Sequence, residues 1–167
     1  LSAIQLAKAL GAENVFAVDI NPRKLELAVK LGAVPVNASL ADPVTFLMDL
    51  TKNRGVDVAL ELIGMPLTMQ QAVRSLAIKG RTALVGITEK SFPVAPYHEV
   101  INKEAEIIGV SDHLATEIPE LLKFARDGKL DLSHVVSRTV PLDAAAINQT
   151  LDALENFSDD TRVVIKL

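Results

Sequence analysis

Ten residues, Val15-Phe16-Ala17-Val18-Asp19-Ile20-Asn21-Pro22-Arg23-Lys24, take the chain from a short apolar strand to an acid and straight on into a helix. The strand is an unbroken apolar run, as strands covered on both faces are. Asn21 supplies the helix N-cap, and Pro22 suits the first turn, where its missing N–H is no loss. An acid at the end of such a strand is where dinucleotide-binding folds accept both hydroxyls of an adenosine ribose. Its charge also repels a 2′-phosphate, which favours NAD over NADP. The competing role for Asp19 is helix capping, which Asn21 already fills.

The same alternation continues along the chain. Leu1 to Leu10 reads as a mostly buried helix with Ser2, Gln5 and Lys8 as a polar stripe, stopped by Gly11. Gly32 ends the helix begun at Pro22, and Val34 to Val36 is a short strand whose Pro35 is best tolerated at a sheet edge. Asp42-Pro43 opens a helix to about Asn53, with a turn at Gly55, and Val56 to Ile63 is an apolar strand stopped by Gly64. A helix from Pro66 to Ile78, closed by Lys79-Gly80, precedes a strand from Thr82 to Ile87. Phe92 to Tyr97 reads as irregular or edge-like, and Ile107 to Val110 as a strand.

Two helices follow, Glu117 to Arg126 and Asp143 to Glu155, the second with Ile147, Leu151 and Leu154 on one face; Arg162 to Leu167 is the closing strand. Strand and helix alternating at these lengths call for one α/β domain over residues 1–167 with a doubly wound parallel sheet.

Composition narrows the function. The net charge of −4 and the lack of a basic run interleaved with aromatics argue against nucleic acid. No apolar run approaches the ~20 residues of a membrane span. The chain has no cysteine, which excludes disulfides and thiolate chemistry and leaves only His and carboxylates for a zinc site within it. His98, His113 and His134 are scattered, without a metal-binding spacing. Glu61, inside an apolar strand, must hydrogen-bond a neighbouring loop or face a cleft. The only tyrosine, Tyr97, is followed four positions later by Ile101 rather than by the Lys a short-chain dehydrogenase needs.

Taken in order, Leu1 to Lys8, Val18 to Leu25, Gly55-Val56-Asp57-Val58-Ala59-Leu60-Glu61-Leu62-Ile63-Gly64 and Gly80-Arg81-Thr82-Ala83-Leu84-Val85-Gly86 resemble the coenzyme-binding domain of medium-chain, zinc-dependent alcohol dehydrogenases. The resemblance covers essentially the whole chain. It implies that Asp19 holds the adenosine ribose of NAD with Lys24 beside it, that Ile20 and Ile63 sandwich the adenine, and that Arg23 lies over its outer side. Val85 and Ile87 would border the nicotinamide, backbone groups near Val110 and Asp112 would bind its carboxamide, and Arg162 would reach the pyrophosphate. Without the resemblance, Arg23 and Lys24 read as solvated, Ile63, Val85 and Ile87 as core, and Arg162 as a surface ion-pair partner.

In this family a first strand and glycine-rich turn precede the equivalent of Leu1, and a separate catalytic domain supplies zinc ligands and a proton relay. The chain is therefore expected to be a piece of a longer cytoplasmic protein, catalytically inert by itself, with zinc held only in the missing domain. The substrate implied is a small alcohol or polyol, and Phe92 to Tyr97 is the expected contact of a homo-oligomer. Three rival readings stand: a zinc-free NADPH-dependent quinone or enoyl reductase, which Asp19 disfavours, a non-catalytic NAD-sensing or dimerisation module, and a methyltransferase, which the element order after Val110 disfavours.

Overall fold

Helix and strand alternate as the sequence implies, and each paired strand runs parallel to its partner. The computed structural model describes all residues except His113, His134, Phe157, Asp159 and Thr161, so the sequence readings of the two histidines lie outside the described residues. The first half runs α1 (Ser2–Ala9), β1 (Phe16–Asp19), α2 (Pro22–Lys30), β2 (Val34–Asn37), α3 (Pro43–Leu50), β3 (Val56–Glu61), α4 (Pro66–Arg74) and β4 (Leu76–Leu84). The second runs from a π-helical turn at Pro96–Ile101 through β5 (Glu106–Gly109), α5 (Ile118–Arg126), β6 (Arg138–Pro141), α6 (Ala144–Glu155) and β7 (Val163–Lys166). The fold is α/β and Rossmann-like. Its contacts divide it into two units, residues 1–37 with 114–167, and residues 38–113.

In the first unit β1 pairs with β2 in register Phe16↔Val34 to Asp19↔Asn37, and Pro35 sits on a strand with one partner, as its missing N–H requires. Ile4, Ala28 and Ala33 form a small core, against which Val15, Ala17 and Leu31 pack. Asn21 caps α2 by accepting from the N–H groups of Arg23 (2.9 Å) and Lys24 (3.4 Å). The polar stripe of α1 needs correction at Gln5, which is buried. Its amide is matched on both sides by one residue, donating to the Asp131 carbonyl (3.0 Å) and accepting from the Asp131 N–H (2.7 Å).

The strand β6, unassigned from sequence, pairs with β7. On α6 the expected apolar face is only partly used. Leu151 and Leu154 are exposed, and the buried residue is Thr150, whose hydroxyl donates to the Ala146 carbonyl at 2.8 Å.

The second unit is the three-stranded sheet β3-β4-β5 with α3, α4 and the π-helical turn. Leu47, Met69, Val73, Leu76 and Ala77 are buried within it. Two helix ends differ from the sequence reading. Helix α3 stops at Leu50, because the Thr51 hydroxyl donates back to the Leu47 carbonyl (2.7 Å) and Lys52 and Asn53 turn left-handed (φ 54° and 60°).

Helix α4 stops at Arg74, and the stretch expected to prolong it is the start of β4. Val56 pairs with Leu76 but Val58 with Arg81, so Lys79 and Gly80 belong to a bulge rather than to a helix end. Lys79 has φ 60° there, and a Cβ on Gly80 would lie 2.9 Å from the carbonyl oxygens of Ala77 and Val56. Residues 91–95 are irregular and run into the π-helical turn, so of the irregular and edge-like readings of Phe92 to Tyr97 the irregular one is formed.

Candidate functional site

Asp19 ends β1, and its Oδ1 accepts the Asn21 N–H at 2.9 Å. The acid is thus not the helix cap. It holds the backbone of the residue that is, and its Oδ2 accepts no hydrogen bond from the described residues. Ile20 next to it is 60% exposed, an apolar side chain presented at the carboxyl end of a strand. Arg23 and Lys24 stand on the first turn of α2, Arg23 exposed and Lys24 half-buried. Arg162 immediately precedes β7. Its carbonyl accepts from the N–H (2.8 Å) and hydroxyl (2.9 Å) of Ser137, while the residue is exposed and makes no ion pair among the described residues.

In the second unit Ile63 is 55% and Ile87 94% exposed, with Val85 partly exposed between them in sequence. These side chains follow the carboxyl ends of β3 and β4, and they are not core. Val110, past the end of β5, donates its N–H to the Leu84 carbonyl at 3.0 Å, and Asp112 adopts φ 47°. The structure therefore brings Ile63, Val85 and Ile87 to one end of one sheet, and Asp19 and Ile20 to the corresponding end of β1 in the other unit. Open α/β sheets bind ligands at the carboxyl ends of their strands.

The turns carrying these apolar residues are built around Glu61, which is only 3% exposed. Its Oε1 accepts the N–H groups of Ile63 and Gly64, both at 2.9 Å, and stands 2.7 Å from the Thr68 hydroxyl on α4. Its backbone carbonyl accepts the N–H groups of Val85 (2.9 Å) and Gly86 (3.1 Å). Of the two roles open to Glu61 in the sequence, the loop-holding one is formed. These bonds also explain why β3 ends at Glu61, two residues before the apolar run does.

The turns pass so closely that a Cβ on Gly86 would lie 2.1 Å from the Gly64 nitrogen, and one on Gly64 would lie 2.4 Å from the Ile87 carbonyl oxygen. Glycine is required at both places by backbone proximity.

A hollow of about 440 Å³ in the same unit is lined in part by Met48, Arg54, Leu76, His98 and Lys103. It lies at the amino end of β4, away from Ile63 and Val85. Its cations are already engaged, Arg54 by Asp57 and Lys103 by the carbonyls of Arg74 and Leu76. No group of three or more His, Cys, Asp or Glu able to hold a metal ion occurs among the described residues. No helix among them is long and apolar enough to cross a membrane.

A family model described as zinc-binding dehydrogenase matches residues 1–127. The chain belongs to this family. Within it, these residues correspond to the coenzyme-binding domain of the zinc-dependent medium-chain dehydrogenases. The chain is 29% identical over 166 residues to the (R,R)-butanediol dehydrogenase of Bacillus subtilis, covering 99% of this chain and 47% of that protein. It is 33% identical over 158 residues to the sorbitol dehydrogenase of the same organism, covering 93% of this chain and 42% of that protein.

Among solved structures, the alcohol dehydrogenase TADH from Thermus sp. ATN1 superimposes with a TM-score of 0.85 at 30% identity, over 96% of this chain and 46% of that one. The chain thus spans somewhat less than half the length of the relatives it matches.

Proposed function

We propose that this zinc-binding dehydrogenase domain binds NAD(H) for an enzyme that moves a hydride between a small alcohol or polyol and the coenzyme. The observation that carries the reading is Asp19, a carboxylate at the carboxyl end of β1 with one oxygen spent on the Asn21 N–H and the other accepting nothing from the described residues. Two vicinal ribose hydroxyls are donors suited to that oxygen, and a 2′-phosphate is not. Lys24 would donate to the same ribose, and Ile20 and Ile63 would cover the two faces of the adenine, with Arg23 outside. Val85 and Ile87 would line the nicotinamide, backbone groups at Val110 and Asp112 would take its carboxamide, and Arg162 would meet the pyrophosphate.

Their fit rests on exposure. Ile20, Ile63 and Ile87 present large apolar surface to solvent at strand ends, which a flat aromatic ligand would cover. When bound, NAD supplies the carbon that accepts the hydride, and this chain's residues bind and orient it. We place the zinc ligands and the proton relay outside these residues, in keeping with relatives more than twice as long. The same reading makes the protein a homo-oligomer joined through Phe92 to Tyr97, where Tyr97 is exposed.

The test is a fluorescence titration of the purified protein, at its full natural length, with NADH and with NADPH. Tighter binding of NADH by about tenfold or more, the effect of ~1.4 kcal/mol, supports the reading. Equal or tighter binding of NADPH would transfer the chain to the zinc-free reductase reading.

A further inference from the structure

We propose that Glu61 is a positioning residue for coenzyme binding. It fixes from one point the two turns that carry Ile63 and Val85 to Ile87, although its carboxylate has no surface to offer a ligand. The proposal rests on the coenzyme reading of those turns.

A carboxylate buried to this degree inside an apolar strand has to be compensated by hydrogen bonds. The compensation here is one-sided. Oε1 takes the two amides of Ile63 and Gly64 and lies within reach of the Thr68 hydroxyl, which also stands 2.9 Å from the Met65 carbonyl. Oε2 is buried without a hydrogen-bond partner among the described residues, against Gly86, where an added Cβ would approach it to 2.7 Å. A neutral or apolar side chain at this position would avoid the cost of that orphaned oxygen. What the carboxylate supplies in return is a single acceptor that gathers the turn after β3 and the first turn of α4.

The main chain of the same residue gathers the other turn. The Glu61 carbonyl accepts from both Val85 and Gly86. Side chain and carbonyl together tie residues 63, 64 and 68 to residues 85 and 86, and the backbones of Gly64, Gly86 and Ile87 pass too close to each other to admit a Cβ on either glycine. Ile63, which is exposed on one turn, and Val85 and Ile87 on the other therefore take their spacing in part from bonds that meet at Glu61. Loss of the Oε1 acceptor frees the first turn and lets Ile63 move relative to Val85.

The experiment compares Glu61→Gln, Glu61→Asp and Glu61→Ala in the full-length purified protein, by NADH titration well below each melting temperature. Glutamine keeps an acceptor at the reach of Oε1 and makes the orphaned end neutral. Aspartate keeps the charge and is one methylene too short. The expected result is NADH affinity within about threefold of wild type for Gln, and weakened about tenfold or more for Asp and Ala. Wild-type affinity in Asp or Ala overturns the proposal, as does a Gln variant as weak as Asp, which would make charge rather than reach the determinant.

Should Ala fail to fold, the Gln and Asp pair still decides. Amide hydrogen exchange separates this proposal from the coenzyme reading. If wild type binds no NADH, that reading fails. Faster exchange at Ile63 and Gly64 in Asp than in Gln still supports the positioning role, and equal exchange overturns it.

Discussion

Gly86→Ala probes the glycine with the least room for a Cβ among the described residues. The new Cβ would lie 2.1 Å from the Gly64 nitrogen, 2.6 Å from the Gly64 Cα and 2.7 Å from Glu61 Oε2. Gly86 does not have the left-handed φ of Gly64, so the penalty is steric and not conformational. Two of the three neighbours are main-chain atoms of a turn held by Glu61, and no rotamer change relieves them. Overpacking costs about 1–3 kcal/mol where side chains can shift, and a fixed backbone puts this substitution at the upper end, about 3 kcal/mol.

For a domain of this size that corresponds to a fall in Tm of roughly 6–12 °C. Gly109→Ala in β5 is the control, since none of the described residues lies within 4 Å of its Cβ position and its φ is ordinary. That change is expected to be neutral or stabilising by up to about 1 kcal/mol, through the unfolded chain. Urea denaturation followed by circular dichroism reads both. Two variants agreeing within about 0.5 kcal/mol, the scatter of inert surface changes, would refute the argument from proximity.

Other consequences follow from hydrogen bonds that carry single elements. The Thr45 N–H, followed by the Thr45 hydroxyl, holds the Asp42 carboxyl below its ordinary value of 3.8, so its contribution is present above that value and is lost as pH falls through the lower folded value. Asp42→Asn keeps a good N-cap and should match wild type at neutral pH while losing less stability in acid, as a urea series across pH would show. Lys103→Met should cost about 1–2 kcal/mol in urea denaturation, since the ammonium donates to the Arg74 and Leu76 carbonyls at 2.8 Å each where α4 passes into β4. Gln5→Leu should cost about 2 kcal/mol and speed amide exchange at Asp131, whose N–H and C=O both lose their bonds to the Gln5 amide.

What could be read from the residues was local chemistry. Asn21-Pro22 and Asp42-Pro43 place a cap and a first-turn proline side by side, and both helices begin where those pairs set them. Gly11, Gly32 and Gly128 lie just past helix ends with φ of 96°, 83° and 71°, the conformation that glycine adopts without cost.

The boundary between α4 and β4 failed because Lys79-Gly80 looks the same as a helix end and as a bulge. The decision rests on a distant partner, since the Val56 N–H needs the Ser75 carbonyl at 2.9 Å. β6 was invisible for a similar reason. Four residues ending in Pro141 make a strand only by pairing with Val163 to Lys166.

Of the candidate site residues, Asp19 is legible by its position at the end of an apolar strand, and the exposure of Ile63 and Ile87 follows once they stand beyond strand ends. Glu61 was ambiguous because its partners, at two, three and seven residues' distance, converge only when the turn folds. A buried acid three residues before the glycine that ends a strand is the signal that could have found it.

The most direct test of the account is Asp19→Ser in the full-length protein, titrated with NADH and NADPH. Serine keeps a side-chain acceptor for the Asn21 N–H, so the turn into α2 survives while the carboxylate is removed. Hydrogen bonds to a charged group are worth about 1.5–3 kcal/mol, so NADH affinity is predicted to fall by about tenfold or more while NADPH affinity holds or improves. An unchanged ratio of the two affinities would show that Asp19 does not hold the ribose, and would contradict the account at its centre.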